Sequence, residues 1–325
     1  MSSPNPISTH LTTHPTTPLI LDGALATYLE SLGANISSAL WSASILLDQP
    51  SLIHRTHLDY FRAGANIAIT ASYQASIPGL VKHLGLSETA AKAVVRKSVE
   101  LAREAREEFI RERNASADED VLRGKLFVAG SVGPYGAFLA DGSEYRGDYD
   151  VSRSNMKDFH RGRIQALVAA GVDVLACETL PAKSEIEALI ELLQDEFPGT
   201  EAWFTFTLRD GKRIADGTGL DEIAALFEDV PQVIGLGVNC VPDDLALEAI
   251  RNLKKVTKKA LVVYPNSGEQ WNAKAREWEG HKTEGSNLAV KTVEWWQAGA
   301  VMIGGCCRTT PEDIGTMARA LKVRE

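Results

Sequence analysis

Apolar residues are distributed along the chain in short runs separated by longer amphipathic stretches. The runs occupy residues 19–21, 66–70, 126–129, 172–176, 202–207, 233–238, 260–264 and 300–303. Each is brief and rich in aliphatic, β-branched or aromatic residues, which predicts a buried strand. Between most of them, apolar positions recur with helical spacing over 51–63, 87–111, 155–170, 183–196, 220–227, 243–257 and 288–298, and a last such segment, 311–322, closes the chain. That spacing lays one apolar stripe along a helix. Ser51 and Ser87 stand where an N-cap is needed. Thr310-Pro311-Glu312-Asp313 adds Pro at the first helical position and acids at the positive end of the helix dipole.

Strands that alternate with helices pair in parallel, because a crossover helix is what connects parallel neighbours. Eight such units predict an α/β fold, a (β/α)8 TIM barrel forming a single domain over residues 18–325. An open doubly wound sheet would carry a Gly-rich dinucleotide turn after its first strand, whereas the turn here reads Asp22-Gly23-Ala24-Leu25-Ala26-Thr27. Residues 1–17, interrupted by Pro4, Pro6 and Pro15, are expected to be a flexible tail. Two longer stretches stand out: 113–124, read as a polar spacer, and 140–154, whose acids and tyrosines suit an active-site lid.

Composition narrows the partners. Of 325 residues 44% are hydrophobic and 24% charged, and the formal net charge is −9. With no Lys/Arg-rich tract, neither nucleic acid nor an anionic membrane is the expected partner, and small molecules fit better. No apolar run approaches the roughly 18 residues of a membrane helix, and the start lacks both a basic and an apolar leader region. A cytoplasmic protein, monomeric or weakly homo-oligomeric, is expected. Its four cysteines are too few for a disulfide scaffold and would be thiols in a reducing compartment.

In a barrel of this type chemistry sits on the loops that follow the strands. Those loops carry Asp22-Gly23, Ser72-Tyr73-Gln74, Ser131-Val132-Gly133, Cys177-Glu178-Thr179, Asn239-Cys240, Pro265-Asn266-Ser267 and Gly304-Gly305-Cys306-Cys307. Cys240 is far in sequence from the Cys306-Cys307 pair, so no zinc-finger spacing exists. The strands before them are, however, both near the seventh, and their tips could bring three sulfurs to about 2.3 Å from one zinc ion. Spacing leaves two readings open, a metal site or small buried apolar residues. A vicinal Cys306–Cys307 disulfide is disfavoured by its strained ring.

Three thiolates would leave the fourth zinc position to a thiol substrate, which is the chemistry of alkyl transfer to sulfur. A thiol of pKa about 8.5 is only about 3% ionised at pH 7, so full ionisation is worth roughly 2 kcal/mol. Asp22 and Glu178 could receive the ammonium of an amino acid, or serve as cap and turn carboxylates. The Gly23 and Ala24 N–H groups could take its carboxylate. Cys177 alternates with Glu178 and belongs to the core. His54 and His57 are three apart on one helix and read as its packed or solvated face.

The motifs LDGALAT (21–27), ITASYQAS (69–76), GSVGPYGA (130–137), ADGSEYRGDY (140–149), CETLP (177–181), GVNC (237–240), YPNSGE (264–269) and GGCCRTTPEDI (304–314), in this order, resemble the zinc-dependent homocysteine S-methyltransferase family, above all its S-methylmethionine- or S-adenosylmethionine-using members. The resemblance implies a (β/α)8 barrel with Zn2+ on Cys240, Cys306 and Cys307 and homocysteine sulfur as exchangeable ligand. It places the homocysteine amino group on Asp22 and Glu178 and Asn239 beside the metal. Ala24 and Ala26 depart from the Gly and Met common there. Gln74 stands where betaine-using relatives carry an aromatic residue, which argues against betaine. Trp41, Tyr73, Tyr135 and the acidic 141–150 loop are candidates for the pocket of a cationic sulfonium donor. Two other classes are a barrel gripping phosphate at Gly304-Gly305, which leaves the cysteines unexplained, and a non-catalytic zinc- or thiol-binding protein.

Overall fold

The computed structural model describes residues 7–36, 41–113, 125–272 and 277–322. Eight strands form its main sheet: β1 (Leu19–Ile20), β2 (Ile67–Ile69), β3 (Phe127–Val132), β4 (Val174–Leu180), β5 (Ala202–Phe206), β6 (Val233–Asn239), β7 (Ala260–Tyr264) and β8 (Ala300–Ile303). All neighbours pair in parallel, in the order β1-β8-β7-β6-β5-β4-β3-β2. The ring closes between β1 and β2. There Leu21 bridges Ile67 in parallel, the Asn66 N–H donates to the Ile20 carbonyl at 2.6 Å and the Asp22 N–H to that of Ile67 at 3.0 Å. This is the barrel that strand–helix alternation predicts.

Alternation along the strands separates two apolar layers. Leu19, Leu21, Ile67, Phe127, Ala129, Val174, Ala176, Trp203, Val262 and Met302 fill the barrel interior as one buried cluster. The residues between them, among them Ile20, Val128, Leu175, Cys177, Phe204, Leu236, Val263 and Ile303, pack outward against the helices. Cys177 is therefore a core residue of the helix-facing layer.

Helix ends follow local chemistry. Ser87 accepts the Ala90 N–H at 3.2 Å. Thr310 and Asp313 cap each other, the Thr310 N–H donating to Asp313 Oδ2 at 2.9 Å and the Asp313 N–H to Thr310 Oγ1 at 3.5 Å. Ser51 is no cap: Gln49 holds that position and Pro50 opens the helix Pro50–Ala63, which puts Ser51 in its first turn.

Residues 7–13 correct the expected tail. They form the helix Ile7–Thr13, and Ile7, fully buried, joins the interior cluster at the N-terminal end of the barrel. The Ser8 N–H donates to Glu201 Oε2 at 3.2 Å, just ahead of β5. Ile7, His10 and Leu11 make a short helical stripe that the surrounding prolines obscure; residues 1–6 lie outside the described residues, as do 114–124 of the expected spacer.

β3, β4 and β6 run further than their apolar runs, through Ser131, Glu178 and Asn239. Gly237 of β6 lies against β7 so closely that a Cβ would overlap the Val262 carbonyl oxygen. Because backbone cannot swing aside, Gly237→Ala is expected to lower stability by about 3 kcal/mol or more, read as a shift in the urea midpoint.

Candidate active site and metal centre

The C-terminal ends of the strands surround a cavity of about 370 Å³. Cys240, Cys306 and Cys307 line one side of it, and their Sγ atoms all lie within 4.8 Å of one another. Cys240 and Cys306 are joined as a disulfide, where thiols were expected, and Cys307 Sγ is 4.0 Å from Cys240 Sγ. The vicinal pair is not bridged. Burial pushes the Cys307 thiol up to about 11. Backbone holds the trio in place: the Cys306 N–H donates to the Pro265 carbonyl at 2.7 Å, and the Cys307 carbonyl accepts the Ser267 N–H at 3.1 Å.

Reduced, this set offers three soft sulfur donors around one point, partly exposed to a cavity able to admit a fourth ligand. Such a donor set suits zinc, and the open side is that of a catalytic rather than a structural site. The residues therefore fit the metal that the motifs imply.

Two buried carboxylates form the floor. Asp22 accepts the Ile69 N–H at 2.9 Å, and burial, reinforced by the charge of Glu178, raises its pKa well above the usual range. Burial likewise pushes Glu178 up to about 7, opposed by hydrogen bonds from Ser131 and Tyr264. Two desolvated acids sharing one pocket are poorly neutralised by the protein itself, and a cationic group between them would relieve both.

The remaining predicted residues divide. Gly23 and Ala24 line the cavity, but the Ala24 N–H already donates to Thr309 Oγ1 at 3.2 Å. That leaves Gly23 as the donor of the predicted pair with no partner among the described residues. Asn239 also lines the cavity, yet both its amide atoms are committed: Oδ1 accepts the Thr179 N–H and Nδ2 donates to Thr179 Oγ1, each at 2.8 Å. It acts as a positioning residue, tying the tip of β6 to the left-handed Thr179 (φ 62°) and so aiming Glu178 inward. Cys240 (φ 52°) is held in the same strained region.

Tyr73, and Glu144 and Tyr145 of the 140–154 stretch, line the cavity. Tyr135 instead packs against Phe138, Tyr149 and Phe159 behind the wall. Trp41 opens the helix Trp41–Asp48, and its side chain lies outside the described residues. His57 is buried, and burial lowers it to about 3, a packed neutral histidine.

A buried network supporting this wall carries no sequence motif. Arg163 donates to the Tyr73 carbonyl at 2.8 Å and also to that of Gly133, and burial lowers it to about 10. Its neighbour His160 meets Glu185 at 2.7 Å, and Glu185 accepts the Tyr135 N–H at 2.7 Å. Both Arg163 and Glu185 sit on amphipathic helices, where periodicity alone reads them as surface positions.

The profile of the homocysteine S-methyltransferase family matches residues 19–321. Homocysteine S-methyltransferase of Escherichia coli (strain K12) is 53% identical over 306 residues, 94% of each chain. Homocysteine S-methyltransferase YbgG of Bacillus subtilis (strain 168) is 47% identical over 323 residues, 98% of this chain and 99% of that one. The crystal structure of the E. coli homocysteine methyltransferase MmuM in its metallated form superposes with a TM-score of 0.85 at 49% identity, covering 98% of this chain and 100% of that one. A profile match over nearly the whole barrel, with relatives this similar along nearly all of their length, leaves one conclusion: the chain belongs to the homocysteine S-methyltransferase family.

Proposed function

We propose that this enzyme is zinc-dependent and moves a methyl group from a sulfonium donor, S-methylmethionine or S-adenosylmethionine, to homocysteine, forming methionine. The observation that carries the reading is the placement of three convergent cysteine sulfurs and two buried carboxylates in one cavity. Cys240, Cys306 and Cys307 would hold the zinc once the Cys240–Cys306 bridge is reduced. When bound, zinc supplies a Lewis acid that keeps a substrate thiol ionised at neutral pH.

The chain's own groups do the rest. Asp22 and Glu178 receive the homocysteine ammonium, and Gly23 donates its N–H to the carboxylate. This fixes the thiol end toward the cysteine trio, and such orientation is a main source of rate in a bimolecular reaction. Ser131 and Tyr264 keep Glu178 aimed into the cavity. Glu144 and the faces of Tyr73 and Tyr145 favour the sulfonium cation. The homocysteine sulfur forms its new bond to the methyl carbon while the donor's carbon–sulfur bond breaks. That electron pair stays on the departing sulfur, which leaves as a neutral thioether, and the thiol proton passes to solvent as homocysteine binds.

Among the described residues no helix is long and apolar enough to cross a membrane. The net charge of −9 favours small molecules over nucleic acid or an anionic membrane as partners, and the enzyme is read as cytoplasmic and monomeric or weakly homo-oligomeric. The test is metal analysis of the reduced protein together with methionine formation from homocysteine and, separately, S-methylmethionine, S-adenosylmethionine and betaine. About one zinc per chain and turnover of a sulfonium but not of betaine is the expected result; turnover without metal would overturn the reading.

A further inference from the structure

We infer that Arg308 anchors the α-carboxylate of the methyl donor, so that the site recognises its donor as an amino acid and not only as a sulfonium. The inference rests on the transfer reaction proposed above and assigns one residue of the donor's side of the cavity.

Arg308 follows the cysteine pair and is fixed at both ends. Its backbone is in the left-handed region (φ 69°), and its N–H donates to Thr27 Oγ1 at 3.1 Å. Its Nε donates at 3.2 Å to Glu269, a buried carboxylate that also accepts the Ser267 hydroxyl at 2.8 Å. Among the described residues the two terminal Nη groups have no partner. The side chain is 40% exposed and lines the cavity. A guanidinium held along one edge with its outer fork free is prepared for a planar carboxylate.

Charge points the same way. The charged side chains lining the cavity are Asp22, Glu30, Glu144, Glu178 and Arg308, so Arg308 is the only basic one among the described residues. A sulfonium amino acid brings two positive groups and one negative, and the acids answer the positive ones. Gln74 Oε1 and Glu144 Oε2, in the same cavity, are buried acceptors without a hydrogen-bond partner, which suits the N–H groups of an ammonium. Two amino acids must bind, however, and each has a carboxylate. Asp22 and Glu178, at 5% and 7% exposure, put the acceptor's head group on the floor. Arg308, 40% exposed, is the more open position on the cavity wall and serves the second head group.

The experiment compares wild type, Arg308→Gln and Arg308→Lys, each reduced and checked for equal zinc content, with S-methylmethionine and with its carboxamide, which keeps both cations and lacks the anion. Initial rates give KM and kcat, and calorimetric titration gives Kd without turnover. Loss of a charge-assisted contact predicts a rise of about 10- to 100-fold in KM and Kd for S-methylmethionine in Arg308→Gln. Arg308→Lys should recover part of it, kcat should change little, and homocysteine KM should stay where it was. The carboxamide should bind the wild type as weakly as the variant. A rise in homocysteine KM with donor affinity intact would overturn the assignment, as would an equal loss for carboxamide and parent donor. If no sulfonium is turned over, the proposed reaction fails on its own. The titrations still decide the subsite, since S-methylmethionine binding weakened by Arg308→Gln sustains it and absent binding ends it.

Discussion

Cys306→Ser is expected to leave the reduced protein with far less than one metal ion per chain and to cut methyl transfer at pH 7 by at least about 10³-fold. Two effects multiply. Without the metal only about 3% of a thiol with pKa about 8.5 is ionised, a loss of about 30-fold. A substrate sulfur no longer held in line loses about another 10²-fold, since a misplacement of about 1 Å costs that much. Cys240→Ser and Cys307→Ser should behave alike, because all three sulfurs lie within 4.8 Å of one another. Cys177→Ala should keep its metal, because Cys177 is buried in the helix-facing layer. Metal analysis beside single-turnover rates reads both quantities.

Glu178→Gln is expected to raise the homocysteine KM by about 10- to 100-fold, because it removes one charged partner of a buried ammonium. The pH dependence carries a sign. Burial places the Glu178 carboxyl at about 7, so it is charged above that pH and neutral below it. The homocysteine ammonium stays protonated throughout. Affinity should therefore be full above about pH 7 and fall by up to tenfold per unit as the pH drops below it. Thiol ionisation gives a limb of the same direction, and Glu178→Gln separates the two. The variant should lose the Glu178 share of the acid limb in homocysteine KM, leaving those of Asp22 and the thiol. An unchanged pH profile in the variant would take the limb away from Glu178 and assign it to Asp22 and the thiol.

What the sequence revealed was set by how locally each feature is encoded. The eight barrel strands and their helices announce themselves through apolar period, a property of neighbouring residues. Strand ends do not: Ser131, Glu178 and Asn239 are polar because they face the cavity, so a hydrophobicity pattern stops short of them. The cysteine trio was legible because soft ligands at strand tips are rare and the tips converge. The Cys240–Cys306 bridge was not, since pairing depends on distance in space. Asn239 lines the cavity beside Cys240, but its amide serves Thr179, a role visible only once β4 and β6 are side by side. The Ala24 N–H, which the sequence offers to substrate, is taken by Thr309, remote in sequence. The plugging helix Ile7–Thr13 hides in a proline-rich leader. Arg163 and Glu185 have no local signature, because what they satisfy, backbone carbonyls and a backbone N–H, is contributed by other elements.

X-ray absorption at the zinc edge of the reduced, zinc-loaded protein, recorded with and without homocysteine, bears most directly on the account. Three cysteine sulfurs at about 2.3 Å, joined by a further sulfur when homocysteine is added, is the predicted result. A zinc shell that contains no cysteine sulfur, or one that gains no sulfur on adding homocysteine, would contradict it.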